Sequence, residues 1–225
     1  MISVAHFCRQ TSIWRDVAPM LELVVRWLNT QVVNVGFPVA EISRPSRRAL
    51  ISETAFLLAA NGYESIPTAL AEEFERDARR FLSQLPRGDA SAQRLESVEW
   101  REVAGLLANI DRWTAQLSSP QFQPEIPGCG VVDAAVADIR TLTTLIEVKA
   151  VNRQFRAMDM RQVLTYCALL HASERAPSHV SLLNPRLGRV VTVELAVVAA
   201  GASGLGAIEL LEDLVQRMTG LQVSA

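Results

Sequence analysis

Ala137-Asp138-Ile139-Arg140-Thr141-Leu142-Thr143-Thr144-Leu145-Ile146-Glu147-Val148-Lys149-Ala150 is the stretch on which the fold turns. Two apolar segments, residues 131–139 and 145–151, flank a polar turn at 140–144, which is the pattern of a β-hairpin. If the turn centres between Leu142 and Thr143, facing positions sum to 285, and Asp138 lies opposite Glu147. Glu147 and Lys149, two apart on one strand, project from the same face. Two carboxylates and an ammonium then meet at one spot on a sheet. Burying two unpaired carboxylates side by side is costly, and a divalent cation is their natural partner. Lys149 is also the only lysine in the chain, the other 21 of its 22 basic residues being arginine. A lysine that stands against such a bias marks a position where a compact, tunable charge is wanted rather than a planar fork.

Working outward, a helix is expected from about Ala157 to Ala172, then a short strand at Val180–Leu183. A turn at 184–188 leads to a strand from Arg189 to Leu195, and a closing helix covers about Ile208 to Met218. Upstream, the first 118 residues read as mostly helical. Asp16 can cap a helix bearing Met20 to Leu28, and a second begins near Pro45 and ends at Asn61-Gly62. A third opens at Thr68 and stops at 86–89, and a fourth runs from about Ala92 to Leu117. The expected class is α/β, with a mostly helical region at 1–118 and the sheet-bearing core at 119–225.

Asp138 on one strand, Glu147-Val148-Lys149 on the next and a helix after them resemble the PD-(D/E)xK nuclease superfamily. Gln162-Val163-Leu164-Thr165-Tyr166 on that helix resembles the QxxxY motif of its RecB-like branch. Ala137 stands where the namesake proline often sits. The resemblance covers about residues 128 to 195. It implies a restriction-endonuclease-like mixed sheet flanked by helices and Mg²⁺- or Mn²⁺-dependent hydrolysis of phosphodiester bonds in DNA. Asp138 and Glu147 would bind the metal, with the Val148 carbonyl as a further ligand. Lys149 would activate water or neutralise developing charge, and Gln162 and Tyr166 would serve the site from the helix. The first core helix of the family often adds a glutamate, for which Glu53 is the candidate and Glu99 the rival. Asp133 rivals Asp138 as the strand carboxylate, but the register would place it opposite Asn152, beyond Lys149. Fold-level analogy alone suggests prokaryotic defence or DNA repair. The alternative function is a non-catalytic DNA-binding or assembly subunit of the same fold.

Charge adds to this picture. The whole chain is at −2, yet residues 140–189 hold eight basic and three acidic residues, 8 − 3 = +5. Arg153, Arg156 and Arg161 follow the ExK strand and are candidates for DNA phosphates, with pairing to Asp159 as the alternative. Cutting both strands with one such site implies a homodimer or a larger complex, for which the tryptophan-bearing helices and Leu195–Ala200 are candidate contacts. Three cysteines without a CxxC pair and three scattered histidines argue against a disulfide framework or a zinc site. No run approaches the roughly 18 to 20 apolar residues of a membrane span, and the N-terminus does not resemble a signal peptide, so a cytoplasmic protein without a membrane partner is expected. Gly201 to Gly206 matches neither GxGxxG nor a Walker loop and reads as a turn.

Overall fold

The hairpin forms in the expected register, with Ile139 paired to Ile146 and Arg140 to Leu145. A computed structural model describes residues 1–84, 93–173 and 176–220. In chain order these form helices α1 (Val4–Cys8), α2 (Thr11–Val17) and α3 (Leu21–Leu28) and strand β1 (Val33–Asn34). A 3₁₀ turn at Pro45–Arg47 leads into α4 (Arg48–Ala60), followed by α5 (Ala71–Ser83) and α6 (Ser97–Thr114). Five short strands come next: β2 (Gln121–Phe122), β3 (Glu125–Ile126), β4 (Ala135–Val136), β5 (Ile139–Arg140) and β6 (Thr144–Val148). The chain then gives α7 (Ala157–Ser173), β7 (His179–Asn184), β8 (Arg189–Glu194), α8 (Leu195–Ser203) and α9 (Ala207–Gly220).

The result is a mixed α/β architecture with a six-stranded sheet in the order β1-β8-β7-β6-β5-β2. β6 and β7 run parallel because α7 carries the chain back across the sheet, and the other pairs are antiparallel. Alternation along β6 sends Leu145 to one face and Ile146 to the other. The Leu145 face is covered by α1–α3 and α7–α9, and the Ile146 face by α4–α6. Helices therefore enclose both faces, as the apolar central strands require. The β7–β8 turn needs Gly188, at φ +62°, where a Cβ would lie 2.6 Å from the Gly36 carbonyl carbon. That close approach lets Val35 and Gly36 donate to the Gly188 carbonyl and seats β1 at the sheet edge.

Several elements depart from the sequence expectations. Residues 131–139 do not form one strand. Ala135–Val136 pairs with Glu125–Ile126 in a separate two-stranded sheet, and only Ile139–Arg140 joins the main sheet. The break falls at Ala137–Asp138, where the Ala137 N–H donates to the Pro124 carbonyl and the Asp138 side chain takes the Val148 N–H. A side chain has replaced the backbone acceptor, so the ladder cannot continue. The helix expected from Asp16 is two helices, α2 and α3, with Asp16 inside the first. Leu195, expected to end the strand, instead opens a helix over Leu195–Ser203 that the sequence did not announce, and Gly204, at φ +78°, ends it. The expected stop at 86–89 and the start near Ala92 lie outside the described residues. Among the described residues no single helix is long and apolar enough to cross a membrane.

Candidate active site at the split end of the sheet

The parting of β5 from β6 beyond Ile139 creates the site. Asp138 fills the gap in the plane of the sheet, its Oδ2 accepting from the Val148 N–H at 2.6 Å. Glu147 points to the α7 side and is 3% exposed. Its Oε1 accepts from Lys149 Nζ at 2.6 Å, while its buried Oε2 has no hydrogen-bond partner. Lys149 Nζ also donates to Gln162 Oε1 at 2.9 Å, Gln162 Nε2 donates to the Tyr166 hydroxyl at 3.0 Å, and that hydroxyl donates to the Val136 carbonyl at 3.3 Å. An ammonium only donates, so the amide of Gln162 can be oriented in one way only. The i, i+4 spacing on α7 thus holds the lysine through a one-directional chain that ends on the main chain beside Asp138.

Glu53 approaches Asp138 from α4, on the other face of the sheet from Glu147. It lines a cleft of about 530 Å³ together with Asp138 and Val148, and its buried Oε1 has no hydrogen-bond partner. Burial pushes Glu53 up to about 7, and Asp138 adds to the rise. Glu147 is pushed up to about 8, again by burial first and Asp138 second, with Lys149 working against both. Asp138 is raised too, chiefly by burial, against the pull of the Val148 N–H and of Lys149. Around neutrality Glu53 and Glu147 therefore retain much of their protonated form, and a cation would displace those protons. Burial lowers the proton affinity of Lys149, but Glu147 and Asp138 outweigh it and hold the amine above its ordinary value. Burial, with Glu147 adding to it, also pushes the Tyr166 phenol up, so it stays a donor.

The rivals named from sequence lie elsewhere. Glu99 is buried against Arg47, with Nε–Oε1 at 2.9 Å and Nη2–Oε2 at 3.0 Å, and completes a capping box with Glu96. Asp133 donates its N–H to the Ile2 carbonyl and lines neither cleft at the site. As placed, no three Asp, Glu, His or Cys side chains among the described residues form a ready-made metal-ligand group. What the site offers a cation is two orphaned carboxylate oxygens, on Glu147 and Glu53, on either side of Asp138. Hard, oxygen-bearing donors of this kind suit Mg²⁺ or Mn²⁺, with water filling the remaining positions.

The three arginines divide. Arg153 is clamped on the buried Asp159, with Nη1–Oδ2 at 2.7 Å and Nη2–Oδ1 at 2.9 Å. Arg161 lies 5.7 Å from the centre of the Trp14 ring and donates to the Cys8 carbonyl at 3.4 Å. Arg156 is exposed on the wall of a second cleft of about 590 Å³, with Lys149 and Arg48. Sequence reading passed over Arg48, because adjacent arginines on a helix look alike. Here Arg47 turns inward to Glu99, and Arg48 faces the cleft, paired with Glu41 at 2.9 Å. It also passed over Phe56 and Phe81 in the first cleft, which carry no signal beyond helical spacing. Of the other basic residues in the 140–189 stretch, Arg186 is structural, fully buried against Glu102 at 2.6 Å. No model of a known protein family matches this sequence, and no curated protein matches it.

Proposed function

We propose that the protein is a metal-dependent nuclease of the PD-(D/E)xK type, built on a restriction-endonuclease-like core and hydrolysing phosphodiester bonds in DNA. The observation that carries this is the buried, half-satisfied Glu147 held between Asp138 and Lys149. A buried carboxylate with an orphaned oxygen costs stability, and in a chain free of catalysis an apolar residue of similar size would serve β6 better. Asp138, Glu147, the Val148 carbonyl and, from α4, Glu53 would hold Mg²⁺ or Mn²⁺. Such an ion, when bound, supplies a water of lowered pKa and a positive charge against the phosphate oxygens.

The remaining work falls to the chain. Lys149, charged and steadied by Gln162, is placed to donate to a phosphate oxygen as negative charge builds on it. Tyr166 holds Gln162, so it positions rather than reacts. Arg156 and Arg48 offer guanidinium forks to neighbouring phosphates across the second cleft. Val148 lines both clefts and so lies where these phosphate contacts and the carboxylates meet.

A second reading, a DNA-binding subunit that keeps the fold without cutting, draws on one observation. Glu147 and Lys149 already satisfy each other at 2.6 Å, as a purely structural pair would. One assay separates the two. Purified protein is incubated with duplex, branched and single-stranded DNA, with Mg²⁺, with Mn²⁺ and with EDTA, alongside calorimetric titration of each ion. The nuclease reading expects ion-dependent cleavage and ion binding that Glu147→Gln abolishes together. DNA binding with neither cleavage nor ion uptake would move the protein to the second reading.

A further inference from the structure

The two clefts share a low ridge of Ala49, Ser52, Val148 and Ala150 and differ in chemistry on either side of it. One side carries Arg48, Arg153, Arg156 and Lys149 against a single lining acid, Glu41. The other sets Glu53, Glu125, Asp138 and Gln123 against a wall of Phe56, Phe81, Leu106 and Ile110. Phe56 is backed by the Phe122 ring at 5.8 Å. Phe81 and Val136 are left 41% and 52% exposed along the same cleft. Together they set an apolar surface open to solvent at the edge of the cavity. The volume of about 530 Å³ falls in the range of about 300–1,000 Å³ that takes in small organic groups.

A sugar-phosphate backbone gains nothing from aromatic walls, whereas every nucleobase has a π-face that stacks on them. We propose that the apolar cleft receives an unpaired nucleobase, adjoining a phosphate at Asp138 and Lys149, so that the preferred substrate is single-stranded or locally unpaired DNA. Phe81 supplies the stacking face at the mouth, and Arg48 and Arg156 hold the flanking phosphate across the ridge. A base inside a duplex is stacked on both sides and paired at its edge, and it reaches such a cavity only after being extruded. The proposal rests on the nuclease reading for the position of the phosphate.

Binding and cleavage are therefore read separately. Fluorescence anisotropy, with Ca²⁺ in place of Mg²⁺, measures the affinity of a labelled oligothymidylate strand. It is compared with an abasic sugar-phosphate strand of equal length and with the same oligothymidylate in duplex form. The oligothymidylate should bind about tenfold more tightly than either, since one stacked base is worth roughly that factor. Phe81→Ala should erase the preference and Phe81→Trp should restore it. Equal affinity for the abasic strand or the duplex overturns the proposal, as does an unchanged preference in Phe81→Ala, or no binding of any strand. Cleavage in Mg²⁺ without a base preference removes the base pocket and leaves the nuclease. A base preference without cleavage removes the nuclease and leaves the pocket.

Discussion

Replacing Glu53 with glutamine should stabilise the ion-free protein at about pH 8 and leave it nearly unchanged at about pH 4. Glu53 titrates near 4.5 in its unperturbed state and is pushed up to about 7 by burial and by Asp138. An acid raised on folding binds more protons folded than unfolded, so its contribution declines as pH rises from about 4.5 through about 7. The rise spans about 2.5 decades of proton affinity, or roughly 3 kcal/mol at about 1.36 kcal/mol per decade. Glu53 lines an open cleft, where water offsets part of this cost, so about 2 kcal/mol is the expected gain at the higher pH. Glutamine keeps the shape and carries no charge to bury. Urea denaturation in EDTA at the two pH values, parent against variant, measures the difference. Saturating Mg²⁺ should then reverse the order, because an ion bound at about 100 times its Kd adds about 2.7 kcal/mol to the parent, and the variant has lost a ligand. A variant whose stability relative to the parent is the same at both pH values would refute the burial of Glu53 beside Asp138. An undiminished gain from Mg²⁺ would remove Glu53 from the ion site.

Lys149→Ala should lose most cleavage while DNA affinity falls far less, because its contribution belongs to the transition state, and stranding the buried Glu147 should lower stability without abolishing the fold; a single-turnover assay, anisotropy and circular dichroism melts test the three parts. Lys149→Arg should fail as well, since a guanidinium does not fit contacts of 2.6 Å to Glu147 and 2.9 Å to Gln162 made by one nitrogen, and parental cleavage by this variant would end the catalytic account of Lys149. Arg156→Ala should lower the slope of log K against log salt by about one. Arg153→Ala should instead cost about 2–3 kcal/mol in denaturant melts by stranding the buried Asp159, with little change in slope. Arg186→Ala should destabilise by roughly 3–5 kcal/mol, because it leaves Glu102 buried without its cation, and pairing it with Glu102→Gln should recover part of that loss.

Much of this protein could be read from local pattern, because hydrophobic periodicity and turn chemistry act over a few residues. The α/β class, the hairpin register that pairs Ile139 with Ile146, and the helix carrying Gln162 and Tyr166 were all legible in that way. Tertiary structure decided the rest. The strand at 131–139 splits because the Asp138 side chain takes an N–H that a backbone carbonyl would otherwise hold, and no periodicity encodes that exchange. Glu53 and Glu99 are equivalent as glutamates on amphipathic helices. Only packing, which spends Glu99 on Arg47 and leaves Glu53 facing Asp138, separates them. Arg153, Arg156 and Arg161 form one basic cluster in sequence, yet Asp159, solvent and Trp14 receive them separately. A charge run records composition, whereas the partner of each charge is set by elements far away along the chain. The sheet edge makes the same point, since Val33 and Asn34 reach β8 only because Gly188 lets two backbones approach.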